Sequence, residues 1–402
     1  MKEYRGVGFG SGLVRGRVEL AGEGQRHEGT GGAVIVGFLV VPSVGELLRS
    51  VRAPESTGVM LPVCSPYSHL AWAISYAGVP ALFVEAAASI RPGELAYLDA
   101  DRGLVLYPDS GEEEQRLEED RTKCEADARR TASRALLPAV SRSGVAVRVL
   151  AQIQSAEDVT VARDCGAEGV GEIKSELLLD AKGSAGAAAY LVDTIRAETQ
   201  WKDIPIRFFD FESEKPDRAC GVGFHDGPMG VRGVRLLEKH ESLMARFLEM
   251  LEGVELDGIV VVLPMVTLPV EVERFRERLI GQPLKVGVLI ETPAAAVNID
   301  KFLDVSDYFE IGVNDLTQFT MAWDRVRAHH ELLPVDKLAD PVERLVSGVA
   351  RAVSAKQGFA SLAVDLPPST QLVRQVLSMG IEAIAVPPRL IPLWKERIRL
   401  GE

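Results

Sequence analysis

Short apolar runs alternate with longer amphipathic segments along most of the chain. After residue 144, eight of these runs read as strands, at 145–153, 169–174, 204–210, 259–265, 286–291, 309–313, 361–364 and 383–386. They are apolar almost throughout, as expected of parallel strands covered on both faces. Helical segments separate most of them, for example 157–165, 241–251 and 270–279. Alternating strand and helix over this length predict a (β/α)8 barrel.

Residues 1–110 have a different rhythm. Strands are expected at 15–20, 33–36, 58–63, 81–84, 95–98 and 103–107, with a short helix at 44–52. A second helix starts near His69 and runs to Ala77, where Gly78-Val79-Pro80 closes it. Gly6, Gly8, Gly10, Gly12 and Gly16 crowd the start, but no clear strand precedes them. A β-turn entering the first strand explains them better than a nucleotide-binding loop. Between this small α/β unit and the barrel, 111–143 is polar, acidic at its start, and carries Arg129, Arg130 and Arg134 near its end. That polarity suits one exposed linker helix. The expected organisation is therefore α/β throughout: a small domain at 1–110, a linker helix at 111–143, and a barrel at 144–402.

Composition narrows the class. The chain has 402 residues, enough for two or three domains with filled cores. A net charge of -13 argues against nucleic acid and anionic membranes as partners. No apolar run approaches the roughly 18 residues that span a bilayer, and MKEYRGVGFGSG lacks the apolar centre of a signal peptide. Cys64, Cys124, Cys165 and Cys220 show no metal-binding spacing, so a reduced cytoplasm is expected.

Candidate chemistry gathers at strand ends, where a β/α barrel keeps it. The fifth run ends on Glu291 and the sixth on Asn314 and Asp315. Two carboxylates at one mouth suit Mg²⁺, which leaves its other positions to water and substrate phosphate. The plainer alternative makes each acid an N-cap of the next helix. Asn314 and Arg325 add an amide and a planar cation suited to phosphate or carboxylate. Lys174 ends the second run, Arg207 lies in the third, and Arg232 and Arg235 follow it in GVRGVR. Any one of these cations alone would read as a surface ion pair. His69 sits at a strand-to-helix turn, where free N–H groups and the helix dipole would stabilise a phosphoryl group on its ring. A histidine that merely caps or packs is the alternative there.

The stretches ETPAAA and IGVNDLTQFTMAWDR resemble the phosphoenolpyruvate (PEP) barrel of enzyme I of the bacterial phosphotransferase system, a barrel shared with pyruvate phosphate dikinase and PEP synthase. The resemblance implies a PEP-binding TIM barrel, Mg²⁺ on Glu291 and Asp315, and substrate contacts from Asn314 and Arg325. Arg207 and Arg235 fall where that family has PEP-contacting arginines. Lys174 falls where the family has Arg, keeping the charge but losing the bidentate fork. Lys215, in ESEKP, falls near the end of a loop that is glycine-rich in the family. Ser68-His69 and Gly78-Val79-Pro80 resemble the family's swivelling phosphohistidine domain, with Cys64-Ser65 replacing its two glycines. His69 is then the implied phosphoryl carrier, the linker a pivot, and the assembly a homodimer. The helical docking domain that enzyme I inserts into this part of the chain has no room here, and no ATP-grasp stretch is recognised. The phosphoryl acceptor is therefore unidentified.

One departure bears on the chemistry. The family has a Cys, in Gly-x-Cys-Gly-Glu at the end of the seventh strand, that protonates carbon 3 of enolpyruvate. Counting back from Met379-Gly380 lays Ser361-Leu362-Ala363-Val364-Asp365 over it, so the acid position is Ala363. Loss of a general acid typically costs about a hundred- to ten-thousand-fold. Asp365, Ser361 or water are the substitutes in view. The expected function is PEP-dependent phosphotransfer through His69 to an unidentified acceptor. Other chemistry on a small molecule in the PEP site, or a silent PEP-binding regulator, are the alternatives. Retention of His69, Arg207, Arg235, Glu291, Asp315 and Arg325 favours the first.

Overall fold

The computed structural model describes residues 1–5, 7–9, 11–21, 33–39, 42, 44–51, 56–62, 68–84, 89–178, 186, 188–211, 229–279, 281–324, 334 and 336–401. Its first sheet is built from β1 (Lys2–Arg5), β2 (Val7–Phe9), β3 (Leu13–Leu20), β4 (Val34–Gly37), β5 (Ser56–Pro62), β6 (Ala81–Val84), β7 (Leu95–Asp99) and β8 (Leu104–Tyr107). Spatial order is β1-β8-β7-β3-β4-β5-β6-β2. The centre, β3 to β6, is parallel, and antiparallel pairs extend it on either side. The sequence pattern did not reveal β1 and β2. They are edge strands of four and three residues, defined by their pairing with β8 and β6.

The helix Gly111–Ser133 follows and stops ten residues short of the expected 143, with Arg134 as its C-cap and Pro138 beyond it. Ser110 caps it by accepting the Glu113 N–H, and three glutamates occupy its first turn, where the dipole favours them. Only Leu117 of this helix is buried, so its polar composition matches a helix solvated on nearly every face.

All eight expected barrel strands are present: β9 (Arg148–Ile153), β10 (Val170–Lys174), β11 (Ile204–Arg207), β12 (Ile259–Leu263), β13 (Lys285–Ile290), β14 (Tyr308–Gly312), β15 (Ala360–Ala363) and β16 (Ala383–Val386). Each pairs in parallel with the next, and β16 closes on β9. The sixth strand ends earlier than its apolar run suggested. Gly312 is its last residue, and Val313 already opens the helix Val313–Thr320. Asn314 and Asp315 thus stand in a first helical turn, directly above the strand.

Side chains alternate between two environments. Ile153, Ile173, Ile206, Val261, Val288, Ile311, Leu362 and Ile384 join the large core with the helices, so they face outward. Val260, Val262, Leu289 and Tyr308, and Leu150, Ala383 and Ala385, form separate small clusters inside the bore. By the same two-residue period, Gln152, Glu172, Lys174, Arg207, Glu291, Glu310, Gly312, Ser361 and Ala363 face the bore or its mouth. Just after β11, Phe208 packs against Phe209, Phe247 and Phe275 with ring centroids 5.1–5.4 Å apart. It is fully buried. Phe208→Ala is expected to cost about 3–5 kcal/mol, read as a lower denaturant midpoint at unchanged slope. An unaltered midpoint would show that this cluster does not hold the end of β11.

The first sheet meets the barrel through its second helix, His69–Ala77. Ser75 donates its hydroxyl to the Asp365 carbonyl at 2.8 Å. Tyr76 donates to Asp158, which also completes a capping box with Ser155 at the start of the helix Ala156–Asp164. Trp72 lies over the Lys174 ammonium, 5.0 Å from nitrogen to ring centre. The helix ends on Gly78 with φ 67°. A Cβ there would stand 2.4 Å from Cδ of Arg389, so backbone and neighbour both require glycine.

Candidate active site

The mouth is assembled from strand ends. Glu291 follows β13 and is buried. Its Oε1 accepts the Met265 N–H at 2.8 Å. Met265 has φ 61°, an uncommon conformation for a residue with a side chain, and it lies just beyond β12. Neither candidate metal ligand is an N-cap. Thr292 caps the helix after Glu291, and Gly312 precedes the helix that carries Asp315. A Cβ on Gly312 would lie 3.0 Å from Glu291 Oε2, so glycine keeps room for the carboxylate there.

Arg232 organises the acids. It makes a two-pronged pair with Asp210, at 3.0 and 2.5 Å, and reaches Asp315 at 3.2 Å. All three side chains are buried. Burial pushes the Glu291 carboxyl well above the usual carboxylate range, and the nearby Asp315 and Asp210 add to this, while Arg232 and Arg207 oppose it. Glu291, Asp315 and Asp210 share this space with Arg232 and Arg207, and a divalent cation between Glu291 and Asp315 would favour the charged form of Glu291. Two hard oxygen donors fit Mg²⁺ bound jointly with a phosphate. No group of three or more His, Cys, Asp or Glu side chains able to hold a metal occurs among the described residues, so an all-protein cage is not formed by them.

Beside this cluster lies a cationic wall. Arg207 is buried and paired with Glu176 and, at 3.3 Å, with Glu172. Burial alone would lower its pKa, but Glu176 and Glu172 hold it well above its ordinary value. Lys174 stands 3.7 Å from Glu172. Asn314 donates to Asp365 Oδ2 at 2.7 Å, and Gln152 donates to Asp365 Oδ1 at 2.8 Å. Asp365 thus anchors two amides that face the mouth. Ser361 lies within 3.3 Å of the Tyr308 hydroxyl.

Several buried polar atoms here have no hydrogen-bond partner among the described residues. They include Arg207 Nε, Ser175 Oγ, both polar atoms of the Gln154 amide, Arg235 Nε, and Trp72 Nε1 on the docked helix. Such atoms are rare in folded proteins and costly without a ligand. They cluster at the ends of β9, β10 and β11, in the short 3₁₀ turn Gly233–Arg235, and on the helix that faces them.

The structure thus brings together Glu291, Asp315, Asn314, Lys174 and Arg207; Arg235 ends the 3₁₀ turn Gly233–Arg235, and no contact joins it to them among the described residues. His69 is the first residue of its helix; its side chain lies outside the described residues. Lys215 and Arg325 also lie outside them, as do Cys64 and Cys220. Cys124 and Cys165 are free thiols. Sequence reasoning preferred Arg235 to Arg232, yet Arg232 is the one that joins the two aspartates. It also passed over Glu172, Glu176, Asp210 and Glu310. For Glu172 and Glu310 a charged residue inside an otherwise apolar strand was the available signal, whereas Glu176 and Asp210 lie beyond the strand ends. Arg232→Met would leave Asp210 and Asp315 buried without this cation, and is expected to cost about 3–5 kcal/mol. Urea unfolding measures this, and a loss below 1 kcal/mol would contradict the bridging role.

The model of the PEP-utilising enzyme PEP-binding domain matches residues 128–401. A multiphosphoryl transfer protein of Xanthomonas campestris pv. campestris is 28% identical over 378 residues, covering 88% of this chain and 44% of that protein. A phosphoenolpyruvate-protein phosphotransferase of Streptomyces coelicolor is 27% identical over 372 residues, covering 86% and 65%. One from Buchnera aphidicola is 26% identical over 322 residues, covering 75% and 55%. The chain spans about half the length of the curated relatives it matches. Among the described residues no helix is long and apolar enough to cross a membrane. With a domain model matched over more than half its length, on a closed eight-stranded parallel barrel, this chain belongs to the PEP-utilising enzymes.

Proposed function

We propose that the chain moves a phosphoryl group between PEP and His69, and from His69 to an unidentified acceptor. The observation that carries this reading is the set of unpartnered buried polar atoms at the barrel mouth, facing the helix that begins with His69. The names of the relatives point to the same chemistry. In this reading Arg207, Lys174, Arg235, Asn314 and, from outside the described residues, Lys215 and Arg325 hold the phosphate and carboxylate of PEP. Glu291 and Asp315 would hold Mg²⁺, which when bound neutralises phosphate charge as the P–O bond breaks. The ring of His69 accepts the phosphoryl group, and the helix N-terminus stabilises the added charge. Residues 1–110 form the carrier, and the linker helix joins it to a barrel that associates as a homodimer.

Three polar contacts seat the helix on the barrel: Ser75 on Asp365, Tyr76 on Asp158 and Trp72 on Lys174. Positions 69, 72 and 76 fall on one helical face by their spacing. The arrangement suits transfer between the barrel and His69, and its release would free the carrier for the acceptor. The test is the intact mass of the chain after incubation with PEP and Mg²⁺. One added phosphoryl group, with pyruvate formed in equal amount, is expected. PEP binding without added mass would reject the phosphotransferase reading.

A further inference from the structure

We propose that Glu310 is the proton donor that turns enolpyruvate into pyruvate in this chain, in place of the side chain that Ala363 cannot supply. The inference rests on the PEP-dependent reading above. Glu310 lies in the middle of β14, faces the bore, and has no exposed surface. Neither carboxyl oxygen has a hydrogen-bond partner among the described residues. A carboxylate without donors would be very costly in such a place, whereas a neutral carboxylic acid is tolerable and keeps an O–H to give. Burial raises its pKa well above the usual range, Glu172 raises it further, and Arg207 pulls against both.

Two small residues lie above Glu310 in the bore. Glu310 pairs in register with Ser361, and the next inward pair toward the mouth is Gly312 with Ala363. These are the two smallest side chains available, placed side by side on adjacent strands. Ala363 is partly exposed while Ser361 beneath it is fully buried. On these two strands only a glycine and a methyl group therefore stand between Glu310 and the mouth, with the Glu291 and Leu289 side chains packed over Gly312. Glu172, Arg207 and Lys174, from β10 and β11, and Glu291, above β13, are the charged groups that act on Glu310. Tyr308 lies one inward step below on the same strand.

The other candidates are already engaged. Both oxygens of Asp365 accept amide hydrogens, from Gln152 and Asn314. Ser361 is a weak acid and lies against the Tyr308 hydroxyl. In the proposed step, loss of the phosphoryl group to His69 leaves the enolate of pyruvate. Its C2–C3 π electrons form the new C3–H bond, the Glu310 O–H bond breaks, and the enolate oxygen becomes the ketone. Glu310 remains as a carboxylate beside Arg207 and recovers a proton from solvent when pyruvate leaves.

The test separates this step from phosphoryl transfer. The full chain with Mg²⁺ and pyruvate in D₂O is followed by proton NMR for exchange of the pyruvate methyl protons, and phosphoryl uptake from PEP is measured by intact mass in parallel. Glu310→Gln, a neutral isostere, is expected to slow methyl exchange about a hundred-fold or more, while PEP binding and the final extent of phosphoryl uptake persist. Glu310→Asp keeps an acid with shorter reach, and should exchange more slowly than the native chain with a displaced pH profile. Exchange by Glu310→Gln at the native rate would overturn the assignment and leave the phosphotransferase reading standing. So would a native chain that takes up the phosphoryl group but exchanges no methyl protons. Should the Gln variant fail to bind PEP, an Asp variant with native rate and native pH profile overturns the assignment. A native chain with neither phosphoryl uptake nor exchange removes both readings.

Discussion

A chain carrying His69→Ala is expected to gain no mass from PEP and Mg²⁺, against one phosphoryl group on the native chain. The expected loss is complete because the substitution removes the bond-forming atom, rather than weakening a contact to it. Folding should be unaffected. His69 is the first residue of its helix, Ser68 supplies the cap by accepting the Ala71 N–H, and alanine is a good helix former at that position. The contacts that seat the helix come from Trp72, Ser75 and Tyr76, and all remain. PEP affinity should also remain, since the proposed ligands Arg207, Lys174, Asn314, Glu291 and Asp315 belong to the barrel. A variant that still takes up the group would place the carrier on another side chain. A variant that no longer binds PEP would place His69 in the binding site rather than the transfer step.

The second large effect is expected at Glu291. Glu291→Gln should lower the rate of phosphoryl uptake by about 10²–10³-fold or more, and raise the Mg²⁺ concentration needed for half-maximal rate. The Gln amide oxygen can still accept the Met265 N–H, so the backbone beyond β12 keeps its support. What is lost is one of two anionic oxygens that would hold the cation. Stability should move the other way. Glu291 is buried beside Asp315 and Asp210, and burial with those neighbours disfavours its charge. In EDTA the Gln variant should therefore unfold at the same temperature as the native chain or higher. Opposite signs for activity and metal-free stability distinguish a metal ligand from a structural carboxylate. A variant that loses both, with an unchanged Mg²⁺ requirement, would show that Glu291 serves the fold instead.

Much of this protein was legible in its residues. Runs such as 259–265 and 383–386 are apolar at nearly every position because both faces of a barrel strand are covered, and helical segments between them leave few other architectures. Glu291 could be placed at a strand end because its run stops abruptly on a charge. The linker helix declared itself through polarity and through the order of its charges. The short strands β1 and β2 did not, since edge strands of this length are defined by the partner that pairs with them. Strand β14 was misjudged at its end by one residue, because Val313 is as apolar as the strand before it although it starts a helix.

The amino-acid order by itself determined the barrel, the small sheet before it, the linker, and which carboxylates and cations lie near strand ends. These follow from local periodicity and burial, which neighbouring residues carry. Only the tertiary structure decided which of those groups meet. Arg232 and Arg235 are equivalent in GVRGVR, yet it is Arg232 that bridges Asp210 and Asp315, 22 and 83 residues away. Ser75 reaches Asp365 across 290 residues, and Asn314 reaches it across 51. Glu310 looks like an isolated charge in an apolar run until barrel closure turns it inward beneath Gly312 and Ala363. The physical reason is the same in each case. Periodicity tells which face a residue takes, but the curvature of the closed sheet tells what stands opposite it.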